Sequence, residues 1–188
     1  MTRSYTHKVL KVYVAGKMSK HSHFDSHHWR DDFLGEIARL TGLKFISFDP
    51  TRAIKDYTDP ELVFGSDVHM ISRVDVLIAY LSDDFSVGGS QEILIAKYLK
   101  KPVIGLTPHG GVFNSRTKEI TGKVIKNYRH PFVYSTCDIV CGDIKEIAKA
   151  LENLDKINPK TIKLIDQAKH KFSEKHLKMK LYEEHLIG

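Results

Sequence analysis

The sequence predicts an α/β protein with a doubly wound, flavodoxin-like sheet of five parallel strands and an extra C-terminal helix. Two observations support this prediction. Short apolar runs alternate along the chain with longer segments in which apolar residues recur at helical spacing. The apolar runs are hydrophobic at consecutive positions, as expected for parallel strands that helices cover on both faces. In such a sheet, ligands bind at the carboxyl ends of the strands.

The predicted elements follow one another with short connections. Strands are predicted at residues 9–16, 43–50, 75–81 and 102–108, with a fifth inside 130–140. Helices are predicted at 24–42, 59–75, 89–101 and 143–157, with a longer amphipathic helix after Pro159. Between the last two strands we expect a loop at 109–119 and a short helix at 118–128.

The length of 188 residues is typical of a single domain. We place the α/β domain at 1–158, and expect the amphipathic helix at 159–188 to pack on this domain or on a second subunit. Charged residues interrupt every apolar run before it reaches the ~20 residues of a membrane span. The first residues lack the pattern of a secretory signal, so the expected compartment is the cytoplasm.

The chain carries 29 Lys and Arg against 23 Asp and Glu, a formal net charge of +6. This mild excess suits an anionic ligand. The lysines of the last third alternate with apolar residues at helical spacing, which is typical of a solvated helix face. No basic stripe rich in aromatic residues is present, so we expect no nucleic acid polymer as a partner. Cys137 and Cys141 are expected to be free thiols in a reducing compartment.

Glu92 lies in SVGGSQEILIAKYLKKPVIGL, residues 86–106, just after a glycine-rich loop. We place it in the first turn of a helix, at the carboxyl end of the third strand. An acid there is favourable against the helix dipole, which is a purely structural explanation. The alternative is chemical, because the dipole keeps the carboxylate ionised while Gly88 and Gly89 let a ligand approach the backbone. An ionised, fixed carboxylate in a cleft is a candidate nucleophile. The loop fits neither the dinucleotide-binding pattern nor the P-loop.

Asp67 is the candidate second carboxylate, with a solvent-exposed helical acid as the alternative interpretation. Two carboxylates in one cleft can divide the work of glycosyl transfer, since one attacks the anomeric carbon while the other manages protons. Asp83 and Asp84 are further candidates in the loop itself. The loops expected to form the site are 16–24, 82–90 and 107–118.

Three segments together resemble the nucleoside 2-deoxyribosyltransferase superfamily, with the nucleoside 5′-monophosphate N-glycosidases closest in pattern. The segments are KVYVAGKMS (11–19), DVHMISRVDVLIAYL (67–81) and the block 86–106 that contains Glu92. The third block is the most specific of the three, and beyond about residue 110 the resemblance is loose. The resemblance implies an enzyme that acts on a small nucleoside or nucleotide, without a cofactor, as a homodimer or higher homo-oligomer.

The resemblance also implies roles for individual residues. Glu92 matches the glutamate that attacks the anomeric carbon, and Asp67 matches the acid that contacts the sugar or helps to protonate the leaving base. Tyr13 matches an aromatic residue that orients the glutamate. Gly16 matches a glycine that lets the substrate close on the backbone.

Ser86 separates the subfamilies. The nucleoside transferases carry an aspartate six residues before the glutamate, whereas serine at that position resembles the monophosphate hydrolases, in which the hydroxyl holds the 5′-phosphate. Asp84 is the alternative source of the missing acid. Further phosphate candidates are Lys17, Ser19 and Arg30, with a solvated residue beside Asp31 and Asp32 as the alternative interpretation of Arg30. Ser115 matches a serine that reaches a neighbouring subunit's site.

The histidine-rich stretch HSHFDSHHW, residues 21–29, invites a metal interpretation. His23 and His27 are four residues apart and could share a helical face, but no third ligand at a fitting distance is evident. We therefore expect no metal, and a substrate-covering loop with Trp29 packed or stacked beside it.

These observations leave three functions open. The leading hypothesis is hydrolysis of the N-glycosidic bond of a nucleoside 5′-monophosphate. The second is transfer of the sugar to another base. The third is a nucleotide or ADP-ribose sensor that binds on the same fold without turnover.

Overall fold

The computed structural model describes residues 9–17, 28–53, 57–81 and 86–176 of the chain. Its strands are β1 Val9–Ala15, β2 Lys44–Phe48, β3 Val76–Tyr80, β4 Val103–Leu106, β5 Asn114–Ile120, β6 Lys123–Arg129 and β7 Ile139–Cys141. Its α-helices are α1 Trp29–Thr41, α2 Pro50–Ala53, α3 Pro60–Arg73, α4 Val87–Tyr98, α5 Pro131–Thr136, α6 Ile144–Glu152 and α7 Leu164–His176.

The central sheet has five strands in the order β2-β1-β3-β4-β7, and all neighbouring pairs are parallel. This order is that of a flavodoxin-like doubly wound sheet, so the predicted fold class is confirmed. Every residue of β3 and β4 is buried, which explains why their sequences are apolar at consecutive positions. The direction of winding changes between β1 and β3, and ligands bind beside that point in sheets of this type.

Two hydrophobic clusters cover the two faces of the sheet. One packs α1 and α6 against β1, β3 and β4 and includes Trp29, Phe33 and Ile147. The other packs α3 and α4 on the opposite face and includes Ile71 and Ile93. The chain therefore buries apolar surface on both sides of the sheet, which is the main stabilising contribution in a fold of this kind.

The predicted loop at 109–119 and short helix at 118–128 are wrong, because residues 114–129 form an antiparallel hairpin of β5 and β6. The hairpin forms a separate two-stranded sheet. Thr121 and Gly122 connect its strands with φ angles of 50° and 76°. Positive φ at both central residues is typical of the two-residue turn whose twist matches that of paired strands.

Residues 130–140 begin differently from the prediction. The segment starts with the short helix α5, and the fifth strand of the main sheet begins only at Ile139. Pro131 at the first helical position explains the helix start, because its fixed φ suits a helix and its missing N–H needs no partner there.

The chain after Pro159 is attached to the domain through Lys160. The Lys160 backbone N–H donates to Asp138 Oδ1 at 2.7 Å, and its ammonium donates to the carbonyl oxygens of Ser135 and Cys137 at 2.9 and 2.6 Å. Asp138 also forms a buried ion pair with Lys97. The division of the chain at residue 158 stays a prediction. Among the described helices, none has the length and apolar character that crossing a membrane requires.

Candidate active site

Tyr13, Asp67 and Glu92 come from three different elements and meet on one face of the sheet. Tyr13 lies on β1, Asp67 on α3 and Glu92 on α4. Tyr13 belongs to the hydrophobic cluster that β1 shares with α3 and α4. Because β1 borders the change of winding, this cluster of polar groups lies where a flavodoxin-like sheet binds its ligands.

The Tyr13 hydroxyl donates a hydrogen bond to Glu92 Oε1 at 2.9 Å. The Tyr13 side chain is fully buried. Its pKa is raised strongly, first by burial and then by the negative charges of Glu92 and Asp67. Tyr13 is therefore a permanent hydrogen-bond donor that holds one carboxylate oxygen of Glu92 in place.

Burial raises the pKa of the Glu92 carboxyl to about 7, and the charge of Asp67 contributes to this increase. The hydrogen bond from Tyr13 and the charge of Arg30 act in the opposite direction. The second oxygen, Oε2, is buried and has no hydrogen-bond partner among the described residues. A buried carboxylate oxygen without a donor is costly, so a ligand group that donates to it would be favourable.

The prediction that Glu92 lies in the first helical turn is wrong. Helix α4 begins at Val87, two residues earlier than expected, and its first turn contains no acid. Glu92 is the sixth helical residue, counted from Val87, beyond the turn in which the dipole is strongest. Burial raises the pKa of Glu92, which acts against the ionisation expected from the helix dipole.

Asp67 is half-buried on α3. Its pKa is raised by burial, while the Tyr13 hydroxyl and the charge of Arg30 lower it in part. Asp67 and Glu92 each raise the pKa of Tyr13, so the three groups form one electrostatic cluster. Two acids with raised pKa values in one cluster can share protons between an ionised and a protonated member.

Ser86 is the N-cap of α4, and its Oγ accepts a hydrogen bond from the Gly89 backbone N–H at 3.0 Å. Gly88 is exposed one helical turn before Glu92, and a Cβ placed there would lie 3.9 Å from Glu92 Oε1. The absence of a side chain at Gly88 therefore leaves the glutamate uncovered from that side.

Arg30 is buried at the start of α1, with 1% of its surface exposed. It donates hydrogen bonds to the carbonyl oxygens of Val14, Gly16 and Lys17 at 3.0, 3.3 and 3.2 Å. Its Nη1 lies 3.8 Å from Asp49 Oδ1. Most of its donors are thus occupied by the protein itself, an arrangement that does not favour direct contact with a substrate phosphate.

Gly16 packs directly against Trp29. A Cβ at Gly16 would lie 2.8 Å from Trp29 Cη2, closer than real side chains approach. Trp29 is fully buried, and its Nε1 donates to the Lys17 carbonyl oxygen at 3.2 Å. The ring therefore packs in the core, and the space beside Gly16 on that side is taken by Trp29.

Ser115 lies apart from this cluster, on the hairpin strand β5. Its hydroxyl donates to the Thr117 carbonyl oxygen at 3.0 Å, and it lines a polar cavity of about 550 Å³ together with Arg116 and Arg129. The predicted residues Ser19 and Asp84 lie outside the described residues, as do Asp83, His23 and His27. Within the described ranges, no three His, Cys, Asp or Glu side chains are grouped so as to hold a metal ion.

Sequence reasoning missed Asp49, the buried partner of Arg30. Asp49 follows β2 directly and is 4% exposed. The signal was available, because an aspartate at the carboxyl end of a predicted strand faces the edge where ligands bind.

The fold is a flavodoxin-like α/β class that this chain shares with two solved structures. The 2-deoxyribosyltransferase of Bacillus psychrosaccharolyticus superposes with a TM-score of 0.52 at 16% identity, over 80% of this chain and 97% of that protein. The 2-deoxyribosyltransferase of Leishmania mexicana gives a TM-score of 0.51 at 20% identity, over 78% of this chain and 97% of the other. At these identities the likeness establishes a shared fold, and the resemblance predicted from the sequence is confirmed at that level.

The CMP N-glycosidase BcmB of Clostridium botulinum aligns over 76% of this chain and 98% of its own, at 16% identity. Its TM-score of 0.40 is too low to add to the fold assignment. No family model matches the sequence, and no curated protein matches it either.

Proposed function

We propose that this protein is an enzyme that hydrolyses the N-glycosidic bond of a nucleoside or deoxynucleoside 5′-monophosphate. The observation that carries the proposal is the state of Glu92. Tyr13 holds one of its oxygens, and the other is buried without a donor among the described residues. A fixed carboxylate with one free oxygen has the geometry of a nucleophile.

The reaction begins with attack of Glu92 Oε2 on the anomeric carbon of the sugar. A carbon–oxygen bond forms, the bond to the base nitrogen breaks, and its electron pair leaves with the base. Asp67 in its protonated form gives the base a proton, which is consistent with the raised pKa of this acid. The product of this step is a glycosyl ester of Glu92 and a free neutral base.

Water completes the reaction. The Asp67 carboxylate accepts a proton from a water molecule, whose oxygen attacks the anomeric carbon. The ester bond to Glu92 breaks, and its electron pair restores the carboxylate. The products are the base and the sugar 5-phosphate, and both acids return to their starting protonation states.

Ser86 and the start of α4 support a 5′-monophosphate as the substrate. Ser86 Oγ accepts from Gly89 N–H and still carries a hydroxyl proton that it can donate. A phosphate beside this helix N-terminus would gain from the backbone N–H groups and the dipole. Because Glu92 is in the second turn, its charge is farther from the helix start than the sequence suggested.

Transfer of the sugar to a second base is the alternative, and the shared fold with two 2-deoxyribosyltransferases favours it. The first half of the reaction is the same. The second half differs, because a base nitrogen in place of water attacks the glycosyl ester.

Incubation with a panel of ribo- and deoxyribonucleoside 5′-monophosphates, and with the matching nucleosides, tests both functions. Chromatography of the free base measures hydrolysis, and addition of a second base measures transfer. We expect Glu92→Gln to abolish base release and the exposed control Glu61→Gln to retain it. Base release by Glu92→Gln at the wild-type rate contradicts the mechanism. Saturable binding of a nucleotide without turnover indicates a sensor instead.

A further inference from the structure

Arg30 is a buried cation whose hydrogen bonds hold the end of β1. The register of β1 with β2 ends at the pair Tyr13 and Phe48. Beyond that pair, Arg30 donates to the carbonyl oxygens of Val14, Gly16 and Lys17. One guanidinium thus supplies hydrogen-bond donors to the end of β1 and the residues after it, where β2 no longer pairs. The rigid, forked guanidinium of arginine suits this role.

The charge of Arg30 is only partly balanced by its neighbour Asp49. Asp49 Oδ1 lies 3.8 Å from Arg30 Nη1, beyond hydrogen-bond distance, and accepts hydrogen bonds from the backbone N–H and hydroxyl of Thr51 at 3.0 and 2.8 Å. Asp49 Oδ2 lies 3.7 Å from Nε of Arg52, so two arginines share this carboxylate. Arg30 Nη1 has no hydrogen-bond partner among the described residues.

The groups that act on Glu92 come from three elements: Tyr13 on β1, Asp67 on α3 and Arg30 on α1. Tyr13 supplies a hydrogen bond, Arg30 a positive charge and Asp67, when it is ionised, a negative charge. The charge of Arg30 lowers the pKa of Asp67, as it lowers the pKa of Glu92. Charges interact strongly over several ångströms in a buried environment, because water does not screen them there.

We propose that Arg30 is a positioning residue of the site, which holds the end of the strand carrying Tyr13 and supplies a buried positive charge to the Glu92–Asp67 pair. It does so without touching the substrate, since its surface is 1% exposed and three of its hydrogen bonds go to the backbone. This role replaces the direct phosphate contact expected from the sequence. The kinetic consequence rests on the proposed function, whereas the effect on the protonation of Glu92 does not.

The test separates the two parts with Arg30→Gln, which removes the charge, and Arg30→Lys, which keeps it. Carbon-13 NMR of protein labelled at the glutamate carboxyls follows the titration of Glu92, and the resonance is assigned by its loss in Glu92→Gln. In Arg30→Gln we expect the Glu92 midpoint to rise by roughly one pH unit, as for loss of a nearby opposite charge. The acid limb of kcat/KM should move upward by the same amount.

Arg30→Lys should keep the Glu92 midpoint near that of the wild type. Its kcat should fall about tenfold, because the single ammonium nitrogen cannot occupy the positions of both Nε and Nη2, from which the guanidinium donates to the three carbonyl oxygens. The matched control is Arg52→Gln, which removes the other arginine beside Asp49, a half-exposed one. It should leave both the midpoint and the rate unchanged.

An unchanged Glu92 midpoint in folded Arg30→Gln overturns the electrostatic part, and so does an equal shift in Arg52→Gln. Wild-type kcat in Arg30→Lys overturns the holding part. If Arg30→Gln does not fold, Arg30→Lys still decides the matter, since a Glu92 midpoint displaced by a unit or more despite the retained charge contradicts the inference. If the wild type cleaves no nucleotide but the midpoint shifts as expected, the proposed function fails and the electrostatic inference stands.

Discussion

The Tyr13 hydroxyl donates to Glu92 Oε1 at 2.9 Å across 79 positions of sequence. Both groups have raised pKa values, with burial as the largest cause in each. The tyrosine therefore stays protonated as a donor at any physiological pH, while the glutamate changes its charge near neutrality. The protonation of Glu92 is therefore a property of this site that a pH titration can follow.

Tyr13→Phe should weaken the site without disturbing the fold. Loss of the hydrogen bond removes an effect that lowers the pKa of Glu92, so this pKa should rise above 7. Because attack requires the ionised glutamate, the acid limb of the pH–rate profile should move to higher pH. We expect kcat/KM to fall about 10- to 100-fold, the usual value of a hydrogen bond to a charged group. A profile identical to that of the wild type contradicts the role assigned to Tyr13.

Glu92→Gln should stabilise the protein above neutral pH while it abolishes activity. The pKa of Glu92 is about 7 in the folded protein against an ordinary value of 4.5, so the folded state binds the proton more tightly. Its contribution is most favourable below pH 4.5 and is lost as the pH rises through 7. The loss is about 3 kcal/mol at high pH. Urea unfolding of the wild type and Glu92→Gln between pH 5 and 8.5 measures this difference.

The exposed control Glu61→Gln should not change the pH dependence of unfolding. The free energies of unfolding of the wild type and Glu92→Gln should diverge as the pH rises. If the two curves stay parallel, Glu92 does not have the raised pKa assigned to it.

Ser86 has a structural and a proposed binding role, which two substitutions separate. Ser86→Ala removes the N-cap of α4 and should cost about 1 kcal/mol of stability, lowering Tm by about 2–4 °C in a protein of this size. Ser86→Asp keeps a capping oxygen but adds a negative charge. It should retain the wild-type Tm and raise KM for the monophosphate, not for the nucleoside. An equal change of KM for the monophosphate and the nucleoside in Ser86→Asp contradicts the proposed phosphate contact.

Gly16→Ala should destabilise the protein through Trp29. The added Cβ would lie 2.8 Å from the buried indole ring, so the ring or β1 must shift. We expect a loss of about 1–3 kcal/mol, as for other overpacked cores, measured by urea unfolding. In a background that carries Trp29→Phe, Gly16→Ala should cost less free energy of unfolding, because the smaller ring leaves room for the added Cβ.

Gly35→Ala is the matched control for this prediction. Gly35 is an exposed residue of α1 with no atom near the position of an added Cβ. The substitution should stabilise α1 by up to about 1 kcal/mol through helix propensity. Equal effects of Gly16→Ala and Gly35→Ala would show that contact with Trp29 is unimportant.

The sequence prediction failed where local patterns fit two structures. In KEITGKVIKNY, the apolar positions Ile120, Val124 and Ile125 match a helix as well as a strand. The hairpin is decided by the turn at Thr121 and Gly122, where both φ angles are positive. The start of α4 was ambiguous for a similar reason, since Ser86 and Ser90 are both good capping residues, and only backbone geometry selects Ser86.

Arg30 shows a feature that a local pattern leaves out, and its phosphate contact stays a prediction. Its place at the start of a helix, beside a predicted ligand edge, suggested a phosphate contact. In the structure, Arg30 donates to backbone carbonyl oxygens that lie beyond the end of the pairing between β1 and β2. Pairing of β1 with β2 ends at Tyr13 and Phe48, so carbonyl oxygens beyond that pair need other donors. Where the pairing ends depends on the lengths of both strands, and these lie far apart in the sequence.

The sequence by itself determined the alternation of strands and helices, the parallel sheet, and the position of Glu92 after the third strand. These features depend on hydrophobic periodicity and on residues close together in the chain. The tertiary structure alone decided how deeply the Glu92 carboxyl is buried and that the charge of the buried Arg30 acts on it. Burial and hydrogen bonds depend on residues far apart in sequence. Burial raises the pKa of Glu92 to about 7, while the hydrogen bond from Tyr13 lowers it in part.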